Sequence, residues 1–200
     1  DGLNTLRTPK LVASAARLTG RRRVLCEAFG VLPWSRAIAD EKHVTDWLVA
    51  LGVNMFNDNT LVSDISGFRK RCCSGKHFTQ PWWRYAKVSY DYITRASAMS
   101  ADTVLDTELA VLYPSTSWWA LARVGKDEPE RLTRSENAFN ATLEALTRRH
   151  RHFEFLFEPI LERAQIRNGA IVCDHATFRA VVLAGVDRLP PAAARRLEEF

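Results

Sequence analysis

The stretches RVLCEAF (Arg23–Phe29), IADEKHVTDWLVAL (Ile38–Leu51) and VNMF (Val53–Phe56) together determine the fold class. The first and last are short apolar runs typical of buried strands, and the middle one carries apolar residues near helical spacing, with Gly52 as its cap. Loops of only a few residues connect them. This order of strand, helix and strand predicts a parallel sheet built from strand–helix units.

The rest of the chain continues the alternation, which predicts an α/β fold throughout. Segment 57–80 carries turn formers without a clear period, so it is predicted to be a long irregular loop, a type of loop that is often functional. Helices are predicted at 10–18, at 81–97, at 135–149 with Ser135 as a cap, and from 191 onward. Strands are predicted at 108–113, 153–157, 170–173 and 178–184.

Composition argues against several classes of function. The net charge is +5, but the basic residues form short clusters beside apolar runs without a recognised binding module, so no nucleic-acid partner is expected. No apolar run reaches the roughly 18 residues that a membrane span needs, so no membrane partner is expected either. The four cysteines lack C-x-x-C spacing, and no Ser-His-Asp pattern, G-x-S-x-G elbow or glycine-rich phosphate loop occurs.

Glu27 is the first candidate for chemistry. It is a lone carboxylate at the end of an apolar strand, where an unpaired buried charge would be costly. In a barrel of strand–helix units the carboxyl ends of the strands line the active site, which favours a functional role for Glu27. Taken alone, the spacing favours a paired or solvated structural role.

Amides and tryptophans suggest a sugar as the ligand. Asn54 ends the second apolar run and Asn59 follows shortly after, and amides both donate and accept hydrogen bonds to hydroxyl groups. Six tryptophans occur in 200 residues, and Trp34, Trp82 and Trp83 fall in loops or at a helix start. Such rings pack on the apolar faces of sugars. The alternatives are an ordinary turn for the amides and core packing for each ring.

These residues resemble a known family. RRVLCEAFG (Arg22–Gly30), the helix with Lys42 and Asp46, and GVNMF (Gly52–Phe56) resemble the last part of the barrel in glycoside hydrolase family 106, the α-L-rhamnosidases and related large bacterial proteins. QPWWRYAKVSYDYITRAS (Gln80–Ser97) is similar to the helix that closes that barrel. The resemblance implies that residues 1–100 are the terminal strand–helix units of a (β/α)8 barrel.

The second half resembles the domain that follows this barrel. ELAVLYP (Glu108–Pro114) is similar to its first strand, and the segment from Phe178 to Phe200 resembles a strand and helix of a flavodoxin-like, amidotransferase-like module. The resemblance implies that residues 101–200 form such a domain, truncated. The chain differs from the family at Asn57-Asp58-Asn59, where many members have a histidine, and at Cys72-Cys73-Ser74, where an Asp-Pro or Pro-Pro pair is expected.

The family implies inverting hydrolysis of a terminal glycosidic bond by two carboxyl groups, one protonating the leaving oxygen and one activating water. Glu27, matched through Glu-Ala-Phe-Gly, would be the general base on the seventh barrel strand, and the acid would lie on an earlier strand, before Asp1. The expected partner is therefore a carbohydrate substrate. Family members also use a calcium ion near the sugar, for which the sequence identifies no ligands.

Two other hypotheses stay open. The chain could be a carbohydrate-binding protein without catalysis, which keeps the tryptophans and amides and does not need Glu27. It could also be a degenerate barrel remnant, which predicts no sugar binding. The sequence leaves the sugar, the linkage and the oligomeric state open, and a periplasmic or secreted location is compatible with the full-length protein.

Overall fold

The computed structural model describes residues 2–30, 33–67, 75–122 and 129–200, with only the backbone described for residues 2–5. The chain divides into two compact units. One comprises residues 22–103 and is called the 22–103 unit. The other, called the C-terminal unit, combines residues 104–200 with the residues up to 21. Within the described ranges, no helix is long and apolar enough to cross a membrane.

The described residues of the 22–103 unit form two strands, two α-helices and a 3-10 turn. Strand β1 (Leu25–Ala28) is followed by α2 (Ile38–Ala50), β2 (Met55–Asp58), a 3-10 turn (Trp83–Tyr85) and α3 (Ala86–Ser100). The strands pair in parallel with Leu25 opposite Met55 and Glu27 opposite Asn57. The predicted strand–helix–strand unit is therefore confirmed.

Helices α2 and α3 of this unit pack against each other. Their packing and the buried ends of the strands form an apolar core that includes Val24, Leu48, Val53 and Ile93, all less than 10% exposed. Asp40, in the first turn of α2, stabilises the start of the helix because its carboxylate accepts a hydrogen bond from the backbone N–H of Ala37 at 2.7 Å. The helix therefore starts close to the position that its apolar period predicts.

The described strands of the C-terminal unit are β3 (Leu109–Tyr113), β4 (Glu154–Phe157), β5 (Gln165–Arg167), β6 (Ala170–Val172), β7 (Thr177–Phe178) and β8 (Ala180–Val182). They form two small sheets. Strands β4, β3 and β8 form a parallel sheet in that order, and β5, β6 and β7 form an antiparallel one. The helices are α1 (Gly2–Leu18), α4 (Ser115–Leu121), α5 (Glu130–Arg148), α6 (Glu158–Arg163) and α7 (Pro191–Glu199). The predicted mixed α/β fold with parallel sheets is confirmed.

Helix α1 packs against β4 of the C-terminal unit, although the sequence groups it with residues 1–100. Glu154, only 2% exposed, accepts hydrogen bonds from Ser14 Oγ at 2.5 Å and Arg17 at 2.9 Å, and Lys10 Nζ lies 3.0 Å away. A buried carboxylate needs such partners. This attachment joins residues about 140 positions apart, which local sequence patterns do not reveal.

The strand predicted at 178–184 is two strands, because the chain changes sheets at Arg179. Phe178 pairs with Ile171 in the antiparallel sheet, whereas Ala180 pairs with Leu109 in the parallel one. The amides of Arg179 and Ala180 both donate to the carbonyl of Glu108, at 2.8 and 3.2 Å, and hold this switch in place.

Helix α5 begins at Glu130 rather than at the predicted Ser135, and Ser135 is not its cap. Glu130 supplies an acidic residue in the first turn, which favours a helix start there. The Ser135 hydroxyl instead donates to the carbonyl of Gly185 at 2.5 Å and accepts from Trp118 Nε1 at 2.9 Å. Its role is to join three segments of the C-terminal unit.

Candidate functional site

Glu27 lies near the carboxyl end of β1, and its side chain is exposed. The next residue, Ala28, is 5% exposed and points to the other face of the strand. Phe29 then takes a positive φ of 66°, a conformation uncommon for a bulky residue, and turns the chain immediately after the strand. Glu27 is therefore held on a fixed strand end and faces solvent.

Asn59 lies beside this carboxylate. Its Nδ2 donates a short hydrogen bond to Glu27 Oε1, and its backbone N–H donates to the carbonyl of Ala28 at 3.0 Å. A Cβ atom on Gly30 would lie 3.3 Å from Asn59 Cγ, so the absence of a side chain at Gly30 leaves room for the amide. The structure thus brings the predicted base and one predicted sugar-binding residue together.

Asn54 lies at the opposite end of the strands. Its Oδ1 accepts from the backbone N–H of Val24 at 2.9 Å, and its Nδ2 donates to the carbonyl of Arg22 at 2.8 Å. Both ends of this 8% exposed amide therefore join the amino ends of β1 and β2. The structure does not bring Asn54 to the edge that carries Glu27.

A buried charged cluster next to this edge was not predicted. Glu41 of α2, 1% exposed, pairs with Arg36 at 2.7 Å and with Lys76 at 3.2 Å, and it accepts a short hydrogen bond from Ser89. Lys76 also forms a short ion pair with Asp58, the last residue of β2. Two cations thus face two carboxylates, and this balance makes burial of the charges tolerable.

Tyr90 of α3 completes this cluster. Its hydroxyl donates to Asp58 Oδ2 at 2.9 Å, and Lys76 Nζ lies 4.8 Å from the centroid of its ring. Burial, followed by the nearby charge of Asp58, raises the pKa of Tyr90 well above its ordinary value, so the hydroxyl stays protonated as a donor. The cluster fixes the end of β2, one residue before Asn59. Spacing gave no signal for it, because its members come from separate segments.

The predicted aromatic residues lie on the loops that follow the two strands. Trp34 packs edge-on to His77 with ring centroids 6.5 Å apart, and His77 packs on Phe78 at 3.9 Å. Trp82 and Trp83 lie 6.3 Å apart at the start of the helical segment, and the Arg36 guanidinium lies 5.2 Å from the Trp82 ring. Trp34, Trp82 and Trp83 are each partly buried.

With respect to the calcium ion that the resemblance implies, the described ranges contain no group of three or more His, Cys, Asp or Glu side chains that could hold a metal ion. Cys72, Cys73 and Ser74, which replace the expected proline-containing pair, lie outside the described residues.

Comparison with known proteins gives one informative likeness. No family model matches the chain, and no curated protein matches it. The solved structure of a rhamnosidase from Novosphingobium sp. PP1Y is similar, with a TM-score of 0.60 and 22% identity. The match covers 92% of this chain but only 17% of that chain. The fold is therefore like that of one part of a glycoside hydrolase.

Proposed function

We propose that this chain is part of a glycoside hydrolase that cleaves terminal glycosidic bonds in the manner of an α-L-rhamnosidase. Residues 22–103 would supply the last strand–helix units of a (β/α)8 barrel, and residues 104–200 part of a flavodoxin-like module. The observation that carries the proposal is the exposed carboxylate of Glu27, oriented by Asn59 at the carboxyl end of a parallel strand. The likeness of fold to part of a rhamnosidase supports it.

Glu27 suits the role of general base in an inverting reaction. Asn59 occupies Oε1, which orients the carboxylate and leaves Oε2 to accept a proton from water. The water oxygen then bonds to the anomeric carbon as the bond to the leaving oxygen breaks, and a second carboxyl group protonates that oxygen.

The general acid is proposed to lie outside these 200 residues. Among the described residues, Glu41 and Asp58 also lie near the strand ends, and each is bound to the Lys76 ammonium. Both carboxylates are held by contacts within the fold, so neither is proposed as the acid. An inverting enzyme also needs about 6.5–9.5 Å between its two carboxyl groups to admit the water.

Turnover of an aryl α-L-rhamnoside by the complete gene product tests the proposal. Glu27→Gln keeps the shape of the side chain but removes the base, so kcat should fall by about two to four orders of magnitude. Glu130→Gln, at a glutamate with an 85% exposed side chain, is the matched control and should leave turnover unchanged. The first product formed should have the inverted anomeric configuration by NMR.

The outcome separates the enzyme from a carbohydrate-binding protein without catalysis. Normal turnover by the Glu27→Gln protein contradicts the assignment of the base. A complete gene product that binds the sugar and hydrolyses nothing, even with Glu27 intact, favours the binding protein, which the exposed Phe78 ring also suits.

A further inference from the structure

Phe78 is an exposed aromatic ring on a rigid support. Its side chain is 61% exposed, while His77 beneath it is only 3% exposed. The two ring centroids are 3.9 Å apart with an interplanar angle of 37°. One face of Phe78 is thus held against the protein and the rest of the ring is open. Single exposed apolar residues are common, so the support beneath the ring is what distinguishes Phe78.

His77 is fixed from two sides. The Thr79 hydroxyl lies 2.8 Å from His77 Nδ1, and the Thr79 backbone N–H donates to the same nitrogen at 3.3 Å. A backbone N–H can only donate, so Nδ1 acts as an acceptor here. On its other side the His77 ring packs edge-on to Trp34. The imidazole cannot rotate without losing these contacts, so the Phe78 ring rests on a pre-organised base.

Gln80 ties together the two loops that carry these rings. Its Nε2 donates to the carbonyl of Trp34 at 3.1 Å and to that of Gly75 at 2.6 Å, and the side chain is 6% exposed. The loop with Trp34 follows β1, and the loop with Phe78 follows β2. Both therefore extend from the carboxyl edge of the parallel pair, where Glu27 and Asn59 lie.

We infer that the Trp34–His77–Phe78 cluster is a sugar-binding subsite in which Phe78 packs on the apolar C–H face of a pyranose ring. The inference rests on the proposed function, because the subsite lies on the loops that follow the strand ends carrying Glu27 and Asn59. A flat ring fixed in advance loses little conformational entropy on binding, which favours its use as a platform. The tryptophans predicted from the sequence do not include this ring, and Trp34 acts as its support.

The test is calorimetric titration of the otherwise unmodified gene product with a thio-linked rhamnosyl disaccharide, whose sulfur bridge resists hydrolysis. Phe78→Ala should raise Kd about five- to tenfold, in line with the strength of aromatic stacking. Phe78→Trp keeps a flat ring and should stay within about twofold of the parent Kd. Trp119→Ala, at an 80% exposed tryptophan of the C-terminal unit, is the control and should not change Kd.

The inference is overturned if Phe78→Ala leaves Kd unchanged, if Phe78→Trp binds as weakly as Phe78→Ala, or if the parent protein does not bind the disaccharide. Because the ligand cannot be cleaved, binding is read independently of Glu27. Failure of the subsite therefore leaves the Glu27→Gln result intact, and failure of Glu27 as a base leaves the binding result intact. An exposed Phe78 can be replaced without loss of fold, which thermal unfolding verifies.

Discussion

Glu27 and Glu158 both lie where a parallel strand ends, and they have opposite surroundings. Glu27 is the third of the four residues of β1, and Glu158 directly follows β4 as the first residue of α6. Glu158 is 2% exposed, and its carboxylate accepts from Ser115 Oγ at 2.7 Å and from Thr116 Oγ1 and N–H at 2.7 and 3.1 Å. Glu27 is exposed and has one oxygen bound by Asn59.

The difference shows that position at a strand end does not by itself make a carboxylate functional. Glu158 joins the segment after β3 to the end of β4, and both of its carboxylate oxygens accept hydrogen bonds from that segment. Glu27 keeps an oxygen available for water or substrate. What decides the role of each residue is how many donors the surrounding fold supplies.

The largest effect on stability is expected for Glu158→Ala. It strips an acceptor from two hydroxyls and one backbone N–H in a buried site, so the free energy of unfolding should drop by about 4 kcal/mol. Glu158→Gln retains one acceptor oxygen, so its free energy of unfolding should drop by about half as much. Urea unfolding measures both. If Glu158→Ala lowers the free energy of unfolding by less than about 1 kcal/mol, the hydrogen bonds of Glu158 are not structural and the difference from Glu27 does not hold.

The charged cluster beside Glu27 gives the next largest effect. Lys76→Met removes a 1% exposed cation from between Glu41 and Asp58, so the free energy of unfolding should fall by about 3 kcal/mol. Tyr90→Phe removes only the hydroxyl that bonds to Asp58 and should cost about 1 kcal/mol. An equal decrease in the free energy of unfolding for Lys76→Met and Tyr90→Phe would show that the Lys76 ion pairs do not stabilise the cluster more than the Tyr90 hydrogen bond does.

Asn59→Ala sharpens the comparison through activity rather than stability. It frees Glu27 Oε1 and lets the carboxylate rotate, so kcat should fall about tenfold while the free energy of unfolding changes by less than about 0.5 kcal/mol. Steady-state kinetics separates this positioning role from sugar binding. A rise in KM with kcat unchanged would instead assign Asn59 to the substrate, as the sequence predicted.

The smallest effect concerns one cysteine in each unit. Burial and then the charge of Glu27 raise the pKa of Cys26, whereas burial and then Asp174 raise the pKa of Cys173 to about 11. Glu27→Gln should therefore lower the pKa of Cys26 and leave that of Cys173 unchanged. Alkylation rates against pH, in a protein with Cys72 and Cys73 replaced by serine, measure both.

The same two thiols determine whether the free energy of unfolding rises or falls with pH in the alkaline range. Each folded-state pKa lies above the ordinary value of 9.0, so the stability that the two thiols contribute is complete below pH 9 and is lost at higher pH, for Cys173 as the pH rises through about 11. Replacing Cys173 with alanine should make the free energy of unfolding fall less steeply with pH in this range. An unchanged slope between pH 9 and 11 would show that the thiol is not shielded by the fold.

Much of the α/β fold was predictable because apolar periodicity reports which residues are buried. The strands at Leu25–Ala28 and Leu109–Tyr113 and the helix at Ile38–Ala50 lie where that periodicity predicts them. The short helices α4 and α6 were missed because seven and six residues are too few to show a period. Assignment of the two halves to a barrel and a flavodoxin-like module stays a prediction.

For the site, the sequence by itself determined that Glu27 ends a strand and that amides and aromatic residues follow in the loops. Tertiary structure alone decided that Asn59 bonds to Glu27, that Asn54 bonds to the backbone, and that Phe78 is an exposed ring packed on His77. The physical reason is that strand order and hydrogen-bond partners depend on contacts between distant segments. Local periodicity records burial, and burial does not say which partner satisfies a polar group.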